Sequence, residues 1–206
     1  ANWADMLFTT RDQQSNYDKD YAIYTDSEVS YVLMGNYNGT SAQPAQPGIG
    51  GLITTETVAD ASVWMHVLVS CDTVSGEGYK LYVNGDQITS FDVEIQPALN
   101  STVGINATGI QEFLGKELSG YLADLQFVDG QALTPSDFLS TSEAREGQLV
   151  PTRYAGWYGT RGYRLPVYGQ TFESSAITNV ENTSVAQNLV TGGTWELLDG
   201  TATNLA

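Results

Sequence analysis

Trp64-Met65-His66-Val67-Leu68-Val69-Ser70-Cys71-Asp72, followed after a short polar loop by Lys80-Leu81-Tyr82-Val83-Asn84-Gly85-Asp86, is the stretch that decides the fold. The first segment is apolar on both faces, as a central strand covered on both sides would be. In the second, Tyr79, Leu81 and Val83 alternate with Lys80 and Tyr82, the period of a strand with two different faces. Asn84-Gly85 then predicts a tight hairpin turn, because the turn needs positive φ at its central residues. Residues 88–91 are expected to pair back.

The same strand-then-turn grammar returns at Leu118-Ser119-Gly120-Tyr121-Leu122-Ala123-Asp124-Leu125-Gln126-Phe127-Val128, which runs into Asp129-Gly130-Gln131-Ala132-Leu133-Thr134-Pro135-Ser136-Asp137-Phe138. Upstream, residues 8–10, 21–25 and 29–34 read as strands, and 102–105 as another. Residues 35–51, dominated by Gly, Asn, Pro, Gln and Ser, read as a long loop of the kind that carries function on a rim. Short strands at regular spacing predict an all-β, two-sheet antiparallel sandwich. The one helix signal is a single turn, with Thr134 as the cap and Pro135 at the first helical position.

Composition narrows the function. The 206 residues include 24 acidic and 8 basic side chains, a formal charge of −16. Such a chain repels phosphate backbones, so nucleic-acid binding is not expected. Solubility accounts for the acidity without any special partner. Cys71 has no second cysteine to pair with and is expected to be a buried, inert thiol. No apolar run has the length of a membrane span, and Ala1-Asn2-Trp3-Ala4-Asp5 does not read as a signal peptide. A removed initiator methionine, processing or a fragment would each explain a start at Ala1.

Beyond residue 140 the character changes. Ser140-Thr141-Ser142-Glu143 reads as a linker, dividing a sandwich at 1–139 from a C-terminal extension at 140–206. Four of the 8 basic residues, Arg145, Arg153, Arg161 and Arg164, fall there, interleaved with aromatics. Arg153, Tyr154, Trp157, Tyr158, Arg161, Tyr163 and Arg164 are therefore the candidate partner-binding residues, since aromatic and arginine side chains dominate binding hot spots. Packing of the same residues back onto the sandwich is the competing reading.

The two hallmark segments resemble the concanavalin A-like lectin/laminin-G superfamily. The extended run from Gly120-Tyr121-Leu122 to Gln131-Ala132-Leu133, with Trp157-Tyr158-Gly159-Thr160-Arg161-Gly162-Tyr163 after it, is similar to a sub-group found in virion proteins of tailed phages. The resemblance covers roughly residues 6–168 and implies a jelly roll of two antiparallel sheets with an extended C-terminal arm. It implies a non-enzymatic virion structural protein, a capsid-surface decoration or cement protein, with other virion proteins such as the major capsid protein as partners and a homo-oligomeric state. The alternative is a glycan-binding adhesin module of a tail fibre or spike, with a host-surface glycan as ligand and Tyr37 and Asn38 on the sugar-facing rim. Family members open with a strand upstream of the segment matching Met6-Leu7-Phe8. Only five residues precede it here, so an open edge covered by the C-terminal tail or by a neighbour is expected.

Catalysis and metal binding have weaker signals. Asp92, Glu94 and Gln96 share a strand face similar to the Glu-x-Asp-x-Glu strand of lectin-fold glycanases, whose paired carboxylates act as nucleophile and acid. Ser90 or Gln96 breaks that pattern in either register, so no enzyme is expected. His66, the lone histidine, reads as a strand residue bonded to backbone, and Trp64 as core. Relatives hold calcium through rim oxygens, but Asp26, Asp72, Asp86 and Asp129 lie at turns, which favour Asp for backbone reasons. No cofactor is expected, and calcium is left open. Four sequons, at Asn38, Asn100, Asn106 and Asn182, are chance matches in a chain this rich in Asn, Ser and Thr.

Overall fold

A computed structural model describes residues 4–12, 20–25, 30–37, 51–57, 63–101, 110–114 and 123–165, with side chains at 51–56, 63–101, 123–144 and 146–164. The chain divides into two compact units, Ala1–Gly120 and Tyr121–Ala206.

The first unit holds nine strands: β1 (Ala4–Asp12), β2 (Asp20–Thr25), β3 (Ser30–Tyr37), β4 (Gly51–Thr57), β5 (Val67–Asp72), β6 (Gly78–Val83), β7 (Asp86–Gln87), β8 (Phe91–Ile95) and β9 (Ile110–Leu114). Six of them form one antiparallel sheet in the order β8-β4-β3-β2-β1-β9. A second sheet runs β5-β6-β7. The core lies between them. Leu52, Tyr79, Leu81 and Ile88 are buried together, with Met65, Val67, Val69, Cys71, Val83 and Phe91 packed around them. Val67, Val69 and Cys71 on β5 and Tyr79, Leu81 and Val83 on β6 are alternate residues, so the strand period itself supplies one wall of the core.

Several expectations hold and several are corrected. Asn84 and Gly85 adopt φ of 52 and 92, the left-handed pair that the predicted turn requires. Pairing on the return limb extends to Ile88, whose N–H donates to the Leu81 carbonyl at 2.9 Å. The chain then leaves for the other sheet, where Phe91 pairs with Thr54 of β4. Among the described residues β6 has a strand partner on both sides and β5 on one, and Trp64 is 67% exposed instead of core. Trp64 precedes the first paired residue of β5 and so misses the sheet that would bury it. Sequence reading passed over β4 and β9. β9 pairs with β1 from Phe8 to Asp12, so of the segment Met6-Leu7-Phe8 it is Phe8 that has a strand on each side, β9 on one and β2 on the other. Among the described residues the edges of this sheet are β8 and β9. The expected strand at 102–105 and the tail at 166–206 lie outside the described residues.

In the second unit, β10 (Leu125–Phe127) pairs antiparallel with β13 (Tyr163–Leu165), and β11 (Leu139–Ser142) with β12 (Gln148–Pro151). The supposed linker at Ser140-Thr141-Ser142-Glu143 is thus one limb of a hairpin and the turn after it. The expected helical turn is present as a 3-10 turn over Pro135–Asp137. Thr134 is its N-cap residue, as expected, and in a capping box the Asp137 carboxylate accepts the Thr134 N–H at 2.9 Å. The two compact units meet at 120/121, and β10 finds its strand partner far downstream, with Leu125 opposite Leu165.

Candidate functional site

Between β12 and β13 the chain makes a loop at residues 152–162 that has no strand ladder of its own. Two glutamines hold it instead. Gln126, on β10, uses its whole amide: Oε1 accepts the Tyr154 N–H at 2.8 Å and the Tyr158 hydroxyl at 2.6 Å. Its Nε2 donates to the Thr152 carbonyl at 2.9 Å and to Asp124 Oδ2 at 3.3 Å. Gln131 braces the outer side, accepting the Tyr154 hydroxyl at 3.2 Å and donating to the Trp157 carbonyl at 2.7 Å. Beneath them Arg164 Nε donates to Asp124 Oδ1 at 2.6 Å, with side chains only 9% and 13% exposed. A buried charge pair is tolerated only when both partners are hydrogen-bonded in place. Here Gln126 completes the carboxylate's shell.

Aromatic rings fill the remaining space. Tyr154 lies edge-on to Tyr158 with centroids 5.3 Å apart and tilts against Phe138 at 5.7 Å, while Phe127 meets Tyr163 at 5.6 Å. Burial holds the Tyr158 hydroxyl above its usual range. Farther along, Asp129 donates its N–H to the Tyr158 carbonyl at 2.8 Å and accepts the Arg161 N–H at 3.3 Å. The turn wraps so closely that a Cβ on Gly162 would overlap the Tyr158 carbonyl.

The seven candidate partner-binding residues are thereby split. Tyr158, Tyr163 and Arg164 are buried inside the second unit, which takes them off any partner surface. Arg153 and Arg161 are exposed, Tyr154 is half-buried, and Trp157 is 59% exposed. Arg153, Tyr154, Ala155, Gly156 and Trp157 line an open cleft of about 430 Å³. The arrangement presents an indole and guanidinium groups on a fixed backbone. Sequence reading missed Asp124, Gln126 and Gln131; a strand of three residues is too short for an alternation that would single out Gln126.

In the first unit the acidic face of β8 is laid out as the alternation predicts, with Asp92 and Glu94 exposed between half-buried Phe91, Val93 and Ile95. The two positions that break the carboxylate pattern have structural partners. Ser90 Oγ accepts the Thr55 hydroxyl at 2.8 Å. Gln96 acts as a strand partner for Tyr79, accepting its N–H at 2.6 Å and donating to its carbonyl at 3.3 Å. A carboxylate at 96 would lose that second bond. His66 exchanges bonds with Asn84: its N–H donates to Asn84 Oδ1 at 2.9 Å and its carbonyl accepts the Asn84 N–H at 2.8 Å.

Residues 1–138 match the family model of the Concanavalin A-like lectin/glucanases superfamily. The chain belongs to this superfamily. No curated protein and no solved structure matches the chain. As a lectin/glucanase-type sandwich of antiparallel sheets, this concanavalin A-like protein has its match over the whole first unit and β10, whereas the loop at 152–162 lies beyond it. Among the described residues no three His, Cys, Asp or Glu side chains stand together. Asp72 Oδ1 accepts the Val74 and Ser75 N–H groups at 2.8 and 3.0 Å, which holds its carboxyl below the usual range. Asp86 is exposed in the hairpin, and Asp26 is outside the described residues. Tyr37 ends β3, and its companion rim residue Asn38 is also outside them.

Proposed function

We propose that this lectin-like sandwich is a non-enzymatic virion structural protein of a tailed phage, a decoration protein of the capsid surface. The observation that carries the reading is the loop at 152–162. It holds Trp157 out to solvent between Arg153 and Arg161, and two glutamines fix its backbone. A rigid exposed indole flanked by guanidinium groups is hot-spot chemistry. Fixing the loop beforehand lowers the ordering cost of binding. The sequence resemblance supplies the virion setting. Against glycan hydrolysis stand the structural duties of Ser90 and Gln96, since that chemistry needs two carboxylates on opposite sides of the bond.

Quantifying the protein in purified particles tests this. Copies spread over the head are expected; a few copies confined to the tail would overturn it. The cleft beside Trp157 favours a second reading, a glycan-binding adhesin, because its volume lies in the range of small-ligand sites. A glycan array probed with and without calcium tests that reading, and absence of binding in both removes it.

A further inference from the structure

The turn that joins β6 to β7 sets a side-chain amide next to the backbone nitrogen best able to attack it. Asn84 is exposed, and the residue after it is Gly85. Glycine has no Cβ, so nothing shields the peptide nitrogen that follows the Asn84 side chain. Asn84 is also tied into the sheet. Its Oδ1 accepts the His66 N–H at 2.9 Å, and its own N–H donates to the His66 carbonyl at 2.8 Å.

The conformation of the turn keeps the two groups apart. Asn84 has φ of 52, and a residue other than glycine in that left-handed well has ψ of roughly +30 to +60°. Such a ψ places the following nitrogen on the far side of Cα from Cβ. The Gly85 nitrogen therefore points away from Asn84 Cγ, and an attack must wait until ψ rotates. That rotation undoes the turn, and with it the ladder pairs Val83↔Asp86 and Tyr82↔Gln87. Asp86 and Gln87 are both exposed, so little buried surface opposes a local opening.

We infer that Asn84 is a site of spontaneous modification that its own turn holds latched. When the turn opens, the Gly85 nitrogen attacks Asn84 Cγ. The N–Cγ bond forms, the Cγ–Nδ2 bond breaks, and ammonia leaves with the proton of the Gly85 N–H. Solvent water then opens the cyclic imide at either carbonyl, leaving aspartate or isoaspartate at position 84, with no change of oxidation state. In the isoaspartate the main chain runs through Cβ and Cγ. The oxygen that accepted the His66 N–H becomes a main-chain carbonyl, and the turn gains a methylene. A two-residue turn with both central φ angles positive has no room for that insertion. The modification is therefore one-way: a chain that has opened here is marked and does not close again in the same register. None of this depends on the virion reading.

The test incubates the full chain in mildly alkaline buffer, folded and in urea, and follows position 84 by peptide mass mapping. An isoaspartate-specific methyltransferase reports the isomerised product. Conversion is expected in urea and should be slower by about 10-fold or more in the folded chain, because the rate follows the population of the open turn. Converted chains returned to native buffer should show faster hydrogen exchange at the Asn84 turn than the wild type. Asn84→Asp, which adds the same charge but keeps the Oδ1 acceptor and the main-chain length, should retain wild-type protection there. Equal conversion rates in the folded and unfolded chain overturn the latch. Absence of conversion in urea overturns the site itself. Isoaspartate chains as protected as Asn84→Asp overturn the one-way consequence.

Discussion

The two units of this chain are held together by different physics. Among its described residues, the first unit closes on apolar side chains from two sheets, with Leu52 and Leu81 at 0% and 1% exposure. The second gathers around a polar hub, the Asp124–Arg164 pair and the four-bonded amide of Gln126, with aromatic rings packed about it. An apolar core tolerates exchange of one hydrophobic side chain for another of similar volume. A polar hub tolerates almost no single change, because each member that is removed leaves a buried partner unsatisfied. It also has direction. That is what lets it hold an irregular loop in one conformation and aim Trp157 outward.

Four substitutions or titrations bear on this contrast, taken from the largest effect downward. Leu81→Ala should cost about 3 kcal/mol or somewhat more in denaturant unfolding, the lost transfer energy plus the cavity left between the sheets. A loss below about 1 kcal/mol would mean that the first unit does not depend on this core.

Asp124→Ala should cost about 3 kcal/mol, because it strands the Arg164 guanidinium in the interior. The double change Asp124→Leu with Arg164→Met should recover most of that loss. Equal losses in the single and double variants would show that the second unit is organised by packing and not by the pair.

Gln126→Glu keeps the acceptors and removes both donors, and it sets a second carboxylate beside Asp124. We expect a loss of about 2 kcal/mol and faster hydrogen exchange at the Tyr154 N–H. Unchanged exchange there would show that the loop does not rely on this amide.

The smallest effect concerns Cys71 in the apolar unit. Burial, with Asp72 beside it as the lesser cause, pushes the thiol up to about 11 from 9.0. Since the folded state favours the protonated thiol, the contribution to stability is complete below pH 9 and is lost as pH rises from about 9 through about 11. Iodoacetamide should therefore label the folded chain slowly at pH 8 and the unfolded chain faster. Cys71→Ala should flatten stability across that alkaline window. Equal labelling rates for the folded and unfolded chain would place the thiol at the surface.

Local pattern reached a good part of the first unit. The alternation at 79–83, the Asn84-Gly85 turn and the burial of Leu81 follow from periodicity and turn stereochemistry, which act between near neighbours in the chain. It failed where a strand is defined by a distant partner. Strand β9 is five residues with no distinctive alternation, and it exists as a strand because β1, a hundred residues earlier, offers an edge. Trp64 reads as core from its apolar neighbours, yet the first ladder pair of β5 forms three residues later, at Val67.

The aromatic and arginine content of 153–164 was visible as composition, and composition could not say which side chains turn inward. That was decided by residues far off in the chain. The register of β10 on β13 sets Arg164 opposite Gln126 and Tyr163 opposite Phe127, and so commits those two to the interior. Gln126 and Gln131 carry no sequence signal because a glutamine amide is informative only through what it touches. Their partners at 152, 154, 157 and 158 lie 23 to 32 residues away. The sequence by itself determined an acidic, antiparallel β-sandwich of concanavalin A type with an aromatic, arginine-bearing segment behind it. Only the tertiary structure decided that Trp157, Arg153 and Arg161 are the ones that segment shows to solvent. Hydrophobic periodicity is a property of neighbours, whereas the satisfaction of buried polar groups is a property of the whole fold.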